Sequence, residues 1–226
     1  MSPKSIVLLF IKAPVKGQVK SRLAAAIGEE MALEVYTRFI LDIAGTVDAS
    51  GYPLRICYSP PDAGDMFSSW PGQGYPAMPQ QGDDLGARME NAFHRIFSEG
   101  TDSAVLIGSD LPDLPATVIH DAFEALTRSD AVIGPATDGG YYLIGFTRAA
   151  FAPRIFQGIA WSTDRVFEET MKKFREGSLR VGVLPEWSDV DTIEDLRTLL
   201  LRNADPGPGR SRTLSFLMGQ RDRLGI

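Results

Sequence analysis

The chain has 226 residues, of which 44% are hydrophobic and 23% are charged, so it can bury a sizeable core as one large α/β domain or two small ones. Its net charge of −6 argues against a protein whose main task is to grip nucleic acid, because such proteins carry a basic face. We see no signal peptide and no apolar segment of membrane-span length, and we therefore expect a cytoplasmic protein with no membrane span.

Short apolar runs alternate with helical patterns, which predicts a three-layer α/β/α architecture around a mostly parallel sheet. Strands are predicted at residues 5–11, 54–59, 104–108, 131–135, 141–146 and 179–184. Helices are predicted near Ser21 and Pro115 and at residues 29–49, 84–98, 163–175 and 192–202. Residues 52–86 are rich in Pro, Gly and Gln, so we expect long loops over one edge of the sheet.

The end of the chain lies outside this alternating pattern. We expect a single domain over residues 1–203, followed by a linker and tail over residues 204–226. A helix at 214–224 could pack on its own domain or serve a contact in a homodimer.

The loop after the first predicted strand concentrates positive charge, with Lys12, Lys16, Lys20 and Arg22 close together in an otherwise acidic chain. The following helix turns its free N–H groups and its positive dipole end toward the same space. A Walker A spacing is absent. We favour phosphate binding here over a solvated basic turn.

The predicted strand at 104–108 ends in Ser109, Asp110, Leu111 and Pro112. In open α/β sheets, ligands bind at the carboxyl ends of the strands. Magnesium typically takes one or two protein carboxylates and completes its shell with water and phosphate oxygens. Asp110 is therefore a candidate metal ligand, although it could instead cap the following turn.

Two more acidic segments are candidates for the same edge. Asp138, Gly139 and Gly140 lie between two apolar runs and could form only a hairpin turn, or a loop that approaches a substrate. Asp189 and Asp191 precede a predicted helix, where either could stabilise the helix N-terminus or supply a second metal carboxylate.

A glycine-bracketed segment opens the helix at 84–98. Gln81 could read the edge of a nucleotide base there, and Arg88 could meet a phosphate. Capping of the helix by Asp83 or Asp84 is an equally good interpretation.

Five segments occur in order along the chain: K-A-P-V-K-G-Q-V-K-S-R-L, Q-G-D-D-L-G-A-R-M, I-G-S-D-L-P-D-L, G-P-A-T-D-G-G-Y-Y-L-I-G and D-V-D-T-I-E-D-L. Together, over roughly residues 6–200, they resemble a bacterial family of GT-A-type transferases. Its members are described as glycosyltransferase-like or as similar to the CofC phospholactate guanylyltransferases. The resemblance implies the Rossmann-like fold of the nucleotide-diphospho-sugar transferases.

The resemblance also implies roles for individual residues, with Mg²⁺ or Mn²⁺ as the cofactor. The implied nucleotide-binding residues are Lys16, Lys20, Arg22, Gln81, Gly82 and Asp84. The implied metal ligands are Asp110 and Asp191, and the implied catalytic residues are Asp110, Lys20 and Asp138. Gly139, Gly140 and Trp161 would line the acceptor or sugar side.

The function expected from these features is metal-dependent transfer from a nucleotide-sugar donor to a small acceptor. The alternative within the fold is a nucleotidyltransferase that joins a nucleoside triphosphate to a phosphorylated acceptor and releases pyrophosphate. The segment Ser109-Asp110-Leu111 lacks the Asp-x-Asp of many glycosyltransferases, which favours that alternative, while the G-x-G-x-R pattern of many sugar nucleotidyltransferases is also absent. A non-catalytic nucleotide-binding module is the third interpretation.

Overall fold

The structure is a computed structural model that describes residues 4–68, 74–204 and 211–224. The strands are β1 (Ser5–Lys12), β2 (Leu54–Ser59), β3 (Ala77–Pro79), β4 (Ser103–Gly108), β5 (Ala131–Pro135), β6 (Tyr141–Thr147) and β7 (Val181–Val183). The α-helices are α1 (Ser21–Ile27), α2 (Glu29–Ser50), α3 (Gly64–Ser68), α4 (Leu85–Ser98), α5 (Ala116–Leu126), α6 (Val166–Glu176), α7 (Ile193–Arg202), α8 (Arg212–Gly219) and α9 (Arg221–Leu224). A 3₁₀ helix covers Pro153–Phe156. Most of the predicted linker, at 205–210, lies outside the described residues.

The seven strands form one sheet in the order β3-β2-β1-β4-β6-β5-β7. Strands β1, β2, β3 and β4 run parallel, as do β5 and β7, whereas β6 runs antiparallel to both of its neighbours. The prediction of a mostly parallel sheet is therefore confirmed. The turn between β5 and β6 is a hairpin, which is the simpler of the two interpretations of the Asp-Gly-Gly segment.

Helices cover both faces of the sheet, which confirms the three-layer architecture. One apolar cluster joins the sheet to α2, α5, α7 and α8, and a second joins the opposite face to α4, the 3₁₀ helix and α6. Strand β1 shows why the sheet is the core: Val7, Leu8 and Leu9 are fully buried because layers cover both sides of the strand.

The register of the parallel strands brings four carboxyl ends to one edge. Lys12 at the end of β1 is level with Ser59 at the end of β2, and Phe10 is level with Gly108 at the end of β4. Asp110 follows β4 by two residues, so the register carries it to the same edge as the basic loop that follows β1. The expected convergence of these two segments is therefore seen in the fold.

Helix α8, in the tail of the chain, packs on α2 of the same chain. The Asp42 carboxylate on α2 accepts hydrogen bonds from the backbone N–H groups of Arg212 and Thr213, each at 2.8 Å. The guanidinium of Arg38 lies 3.9 Å from the centre of the Phe216 ring. Within the described residues, no helix is long and apolar enough to cross a membrane.

Helix α7 begins immediately after the acidic segment that contains Asp191, and its first turn is fixed by a capping box. The Thr192 hydroxyl accepts from the backbone N–H of Asp195, and the Asp195 carboxylate accepts from the backbone N–H of Thr192. The same carboxylate accepts from the backbone N–H of Asp191 at 3.0 Å. The cap therefore holds the backbone at Asp191 as well as the helix start.

We expect Thr192→Ala to lower the free energy of unfolding by about 1 kcal/mol, because one backbone N–H of the first turn loses its acceptor. Thr198→Ala, on the same helix, is the matched control, since its hydroxyl is exposed and donates to the carbonyl of Glu194 within its own helix. Urea unfolding of both variants measures the difference. Equal stability of the two variants would show that the cap contributes nothing.

Candidate functional site

A cavity of about 560 Å³ opens at the carboxyl edge of β1, β2 and β4. Six residues that the sequence singled out line it: Lys12, Lys20, Arg22, Arg88, Asp110 and Asp191. Its volume falls within the range of roughly 300–1,000 Å³ that is typical of small-molecule sites. The strand ends, the basic loop and the start of α4 therefore enclose a space that suits a nucleotide-sized ligand.

The ammonium group of Lys20 lies between two carboxylates. Its Nζ is 2.8 Å from Asp110 Oδ1 and 2.7 Å from Asp191 Oδ1, and it donates to the backbone carbonyl of Val190 at 2.7 Å. The Lys20 side chain is 4% exposed. The three donors of the ammonium therefore meet three oxygens, and the lysine is buried although the Asp110 and Asp191 side chains remain 39% and 44% exposed.

Lys20 and the neighbouring carboxylates stabilise each other's charged forms. Burial alone would lower the pKa of the Lys20 ammonium, but Asp110 and Asp191 outweigh burial and hold that pKa above its ordinary value. Burial would likewise raise the pKa of the Asp191 carboxyl, but the Lys20 and Arg22 charges lower it. Lys20 is thus held protonated and Asp191 ionised at neutral pH.

The acidic segment before α7 is extended, and this explains how its two carboxylates reach the site together. Trp187 bridges to Ala136 next to β5, and the buried Val190 donates its N–H to the Asp110 carbonyl at 2.9 Å. In an extended chain, alternate side chains share a face, so Val190 enters the core while Asp189 and Asp191 lie on the opposite side.

The Asp189 carboxyl group lies in surroundings that disfavour its negative charge. Its Oδ1 is buried and has no hydrogen-bond partner in the part of the chain that the structure describes. Burial first, and then the charges of Asp138, Asp110 and Asp191, raise the pKa of this carboxyl to about 7. A carboxylate cluster with this shortage of positive charge is a favourable place for a cation.

The residues present fit a divalent ion. The donors are carboxylate oxygens, which Mg²⁺ and Mn²⁺ prefer, and the Asp189 oxygen is buried without a partner. Among residues 4–68, 74–204 and 211–224, however, no three His, Cys, Asp or Glu side chains already form a metal-binding group. The position between Asp110 and Asp191 is taken by the Lys20 ammonium.

The other basic residues of the loop lie further from the carboxylates. Arg22 is 76% exposed on its side chain, with Nη1 3.9 Å from Asp191 Oδ2. Lys16 is exposed and pairs with Glu30 at 2.7 Å. Both remain free to reorient toward a ligand, but Lys20 is already fixed in the site.

The backbone at Lys20 is unusual. Its φ of 48° and ψ of 49° place it in the left-handed region just before α1. Of the three non-glycine residues with positive φ among those described, two, Lys20 and Ser162, line the cavity. Such conformations persist where the surrounding structure enforces them, and they cluster at functional sites.

The glutamine that lines the cavity is Gln80, whereas the sequence pointed to its neighbour Gln81. Gln81 is exposed, and its backbone carbonyl accepts from Asn91. The Gln80 side chain is buried, and its Nε2 donates to the carbonyls of Ile11 at 3.1 Å and Cys57 at 2.8 Å. Both amide hydrogens are thus used, and within the described residues the side-chain carbonyl oxygen has no donor.

The segment around Gly82 forms the start of α4. Asp84 is the N-cap residue and accepts from the backbone N–H of Ala87 at 2.8 Å, as the capping interpretation expected. Gly82 has φ 137°, and a Cβ there would lie 2.7 Å from the Ala87 backbone. Arg88 lines the cavity and donates to the Gly82 carbonyl.

The hairpin at Asp138–Gly140 packs against the loop before α6. The Asp138 carboxylate accepts from the Gly140 N–H at 2.8 Å, which closes the turn. A Cβ at Gly139, whose φ is 88°, would lie 2.1 Å from the Asp164 carbonyl, so only glycine fits this approach. Trp161 packs on Gly86, and Asp138 acts on the site through its charge near Asp189.

Comparison with known proteins identifies the family. Residues 43–163 match the bacterial family described as "Uncharacterized protein conserved in bacteria (DUF2064)". A protein from Desulfovibrio desulfuricans, provisionally described as a nucleotide-diphospho-sugar transferase, is 39% identical over 99% of this chain and 97% of its own, with a TM-score of 0.94. The chain belongs to the DUF2064 family.

More distant solved structures share the fold of this DUF2064 protein. Rv0371c from Mycobacterium tuberculosis, solved in complex with manganese, is 18% identical over 88% of this chain and 98% of its own, with a TM-score of 0.53. A cytidylyltransferase from Leptospira borgpetersenii is 13% identical over 98% and 97%, with a TM-score of 0.58. No protein of curated function matches the sequence. The nucleotide-diphospho-sugar transferase-like fold is thereby confirmed.

We expect the stability of the metal-free protein to fall as the pH rises through the window in which Asp189 ionises. The pKa of Asp189 is about 7 in the folded protein. It is about 4 in an unfolded chain, so between these pH values the folded state holds a proton that the unfolded chain releases, and the folded state becomes less stable as the pH rises.

Asp189→Asn should therefore melt above the wild type at about pH 8 and close to it at about pH 5, with a chelator present. Thermal melts at both pH values measure the two differences. Glu186→Gln, which removes an exposed carboxylate from the same segment, is the control. Equal differences at the two pH values would contradict the placement of the Asp189 charge.

Proposed function

We propose that this protein is a divalent-metal-dependent transferase that uses a nucleotide-sugar donor. The observation that carries the proposal is the convergence of Asp110, Asp191 and Lys20 beside the basic loop in a nucleotide-sized cavity. The relation to the Desulfovibrio desulfuricans protein, which extends over the whole chain, supports this reaction class.

Asp110 and Asp191 would hold Mg²⁺ or Mn²⁺, with Asp189 close enough to share the charge. When bound, the ion would stabilise negative charge on the departing nucleoside diphosphate. The manganese complex of Rv0371c supports a divalent ion on this fold. Lys16 and Arg22, which flank the site on the basic loop, would bind the phosphates.

The strand order supports a direction for the donor. Gln80 follows β3 and Asp110 follows β4, and three strand spacings separate these strands in the sheet. At about 4.8 Å per spacing, the two ends lie roughly 14 Å apart, which is comparable with the reach of an extended nucleoside diphosphate. We place the base toward Gln80, Gln81, Gly82 and Asp84, and the phosphates toward Asp110.

The acceptor or sugar would then lie beyond Asp110, toward the hairpin at Asp138–Gly140. Asp138 carries charge into the site next to Asp189, and the turn is held rigidly against Asp164. Trp161 closes the neighbouring wall by packing on Gly86. In this arrangement Asp138 would orient a hydroxyl of the sugar or acceptor.

Nucleotidyl transfer is the second candidate, and a specific observation favours it. The second carboxylate of the site comes from Asp191, far along the chain from Asp110, and not from an Asp-x-Asp pair. In this reaction a phosphorylated acceptor attacks the α-phosphorus of a nucleoside triphosphate, and pyrophosphate leaves. The two reactions release different products from different donors.

The donor class is tested by thermal melts against nucleoside triphosphates and nucleoside-diphosphate sugars, each with and without Mn²⁺. A ligand at about a hundred times its Kd should add about 2.7 kcal/mol of stability. A manganese-dependent rise with a diphosphate sugar, and release of a nucleoside diphosphate on adding acceptor, would support sugar transfer. Pyrophosphate release from a triphosphate would replace it with nucleotidyl transfer, and binding with no turnover would indicate a binding module.

Asp110→Asn should lower the turnover found in that screen on the order of 100-fold, because it weakens the binding of the ion that would stabilise the developing phosphate charge. Asp102→Asn is the matched control: Asp102 precedes the same strand but lies at the opposite edge, where it pairs with Arg148 at 2.8 Å. Measurement of kcat for both variants tests this expectation. Full turnover in Asp110→Asn would refute the site.

A further inference from the structure

The Lys20 ammonium occupies the position between Asp110 and Asp191 that a divalent ion would need. It has three oxygen neighbours within 2.8 Å, and two of them are the carboxylate oxygens of Asp110 and Asp191. The rings of Phe39 and Tyr36 lie behind it, at 5.3 and 6.0 Å from Nζ. The ammonium is therefore held by oxygens on one side and by aromatic faces on the other.

The loop geometry keeps the ammonium there. Lys20 adopts a left-handed backbone conformation that a lysine rarely takes, and its side chain is almost fully buried. The chain enters α1 immediately after Lys20, and Leu23 in that helix is fully buried. The position of Lys20 is thus set by the packing of α1 and not by chance contact of a long surface side chain.

An ammonium and a divalent ion cannot share these two oxygens, because two positive charges at such a short separation repel strongly beside a lysine that is itself buried. We propose that Lys20 is a built-in cation that competes with the divalent ion for Asp110 and Asp191, so that the ion enters only when the ammonium has left. This inference rests on the proposed function in that it takes the same two carboxylates as the ligands of the ion.

The first test is a titration with Mn²⁺ alone, followed by the electron paramagnetic resonance signal of the free ion. Lys20→Met removes the competitor and keeps the apolar stem. If the carboxylates are free of the ammonium in about a tenth of molecules or fewer, Lys20→Met should bind Mn²⁺ at least about tenfold more tightly than the wild type.

Lys16→Met is the matched control, since it removes one positive charge from the same loop at an exposed position paired with Glu30. Its affinity for Mn²⁺ should stay within about twofold of the wild type, because exposed charges are screened. Equal affinity in Lys20→Met and the wild type would overturn the proposal, and so would an equal gain in both variants.

A second measurement uses the wild type and does not depend on the folding of Lys20→Met. Amine-reactive labelling, read by peptide mass spectrometry, should modify Lys20 slowly in the free protein and faster in millimolar Mn²⁺, while Lys172 on α6 stays constant. Manganese that binds without changing the labelling of Lys20 would refute competition. Neither test contains a nucleotide, so each can fail while the product assays succeed, and the reverse.

Discussion

Three segments that lie far apart in the sequence meet at the Lys20 ammonium group. The loop after β1 supplies the cation, the end of β4 supplies Asp110, and the segment before α7 supplies Asp191 and the Val190 carbonyl, about 170 residues further along the chain. Without this positive charge, the parallel register and the extended acidic segment would bring together carboxylates that repel one another. The arrangement of the carboxyl edge therefore depends on one buried charge.

Much of the fold could be predicted because each element has its own local signal. The buried runs of β2 and β5 have the predicted bounds, and α7 begins one residue after its predicted start and ends where predicted. Strand β3 was missed because it is short, lies at the sheet edge and contains Pro79, whose missing N–H weakens any strand pattern. Its partner is set by packing against β2, which a single sequence does not reveal.

Less of the candidate site than of the fold could be predicted from the sequence. Strand ends predict that Asp110 and the basic loop share an edge, but the sequence left open whether Asp189 or Asp191 would join them there. The choice between Gln80 and Gln81 depends on a one-residue register after β3, which two identical letters cannot encode. The pairing of Lys20 with Asp110 depends on a left-handed backbone conformation at a lysine, for which no sequence signal exists.

Val190 links the packing of the core to the chemistry of the edge. It is fully buried, its N–H donates to the Asp110 carbonyl, and its own carbonyl accepts from Lys20. Any shift of this segment would change the spacing of Asp110 and Asp191 together, so the separation of the carboxylates is fixed by the fold and not by the ligand. A divalent ion that replaced the ammonium would therefore meet two carboxylates that the fold already holds around one cation.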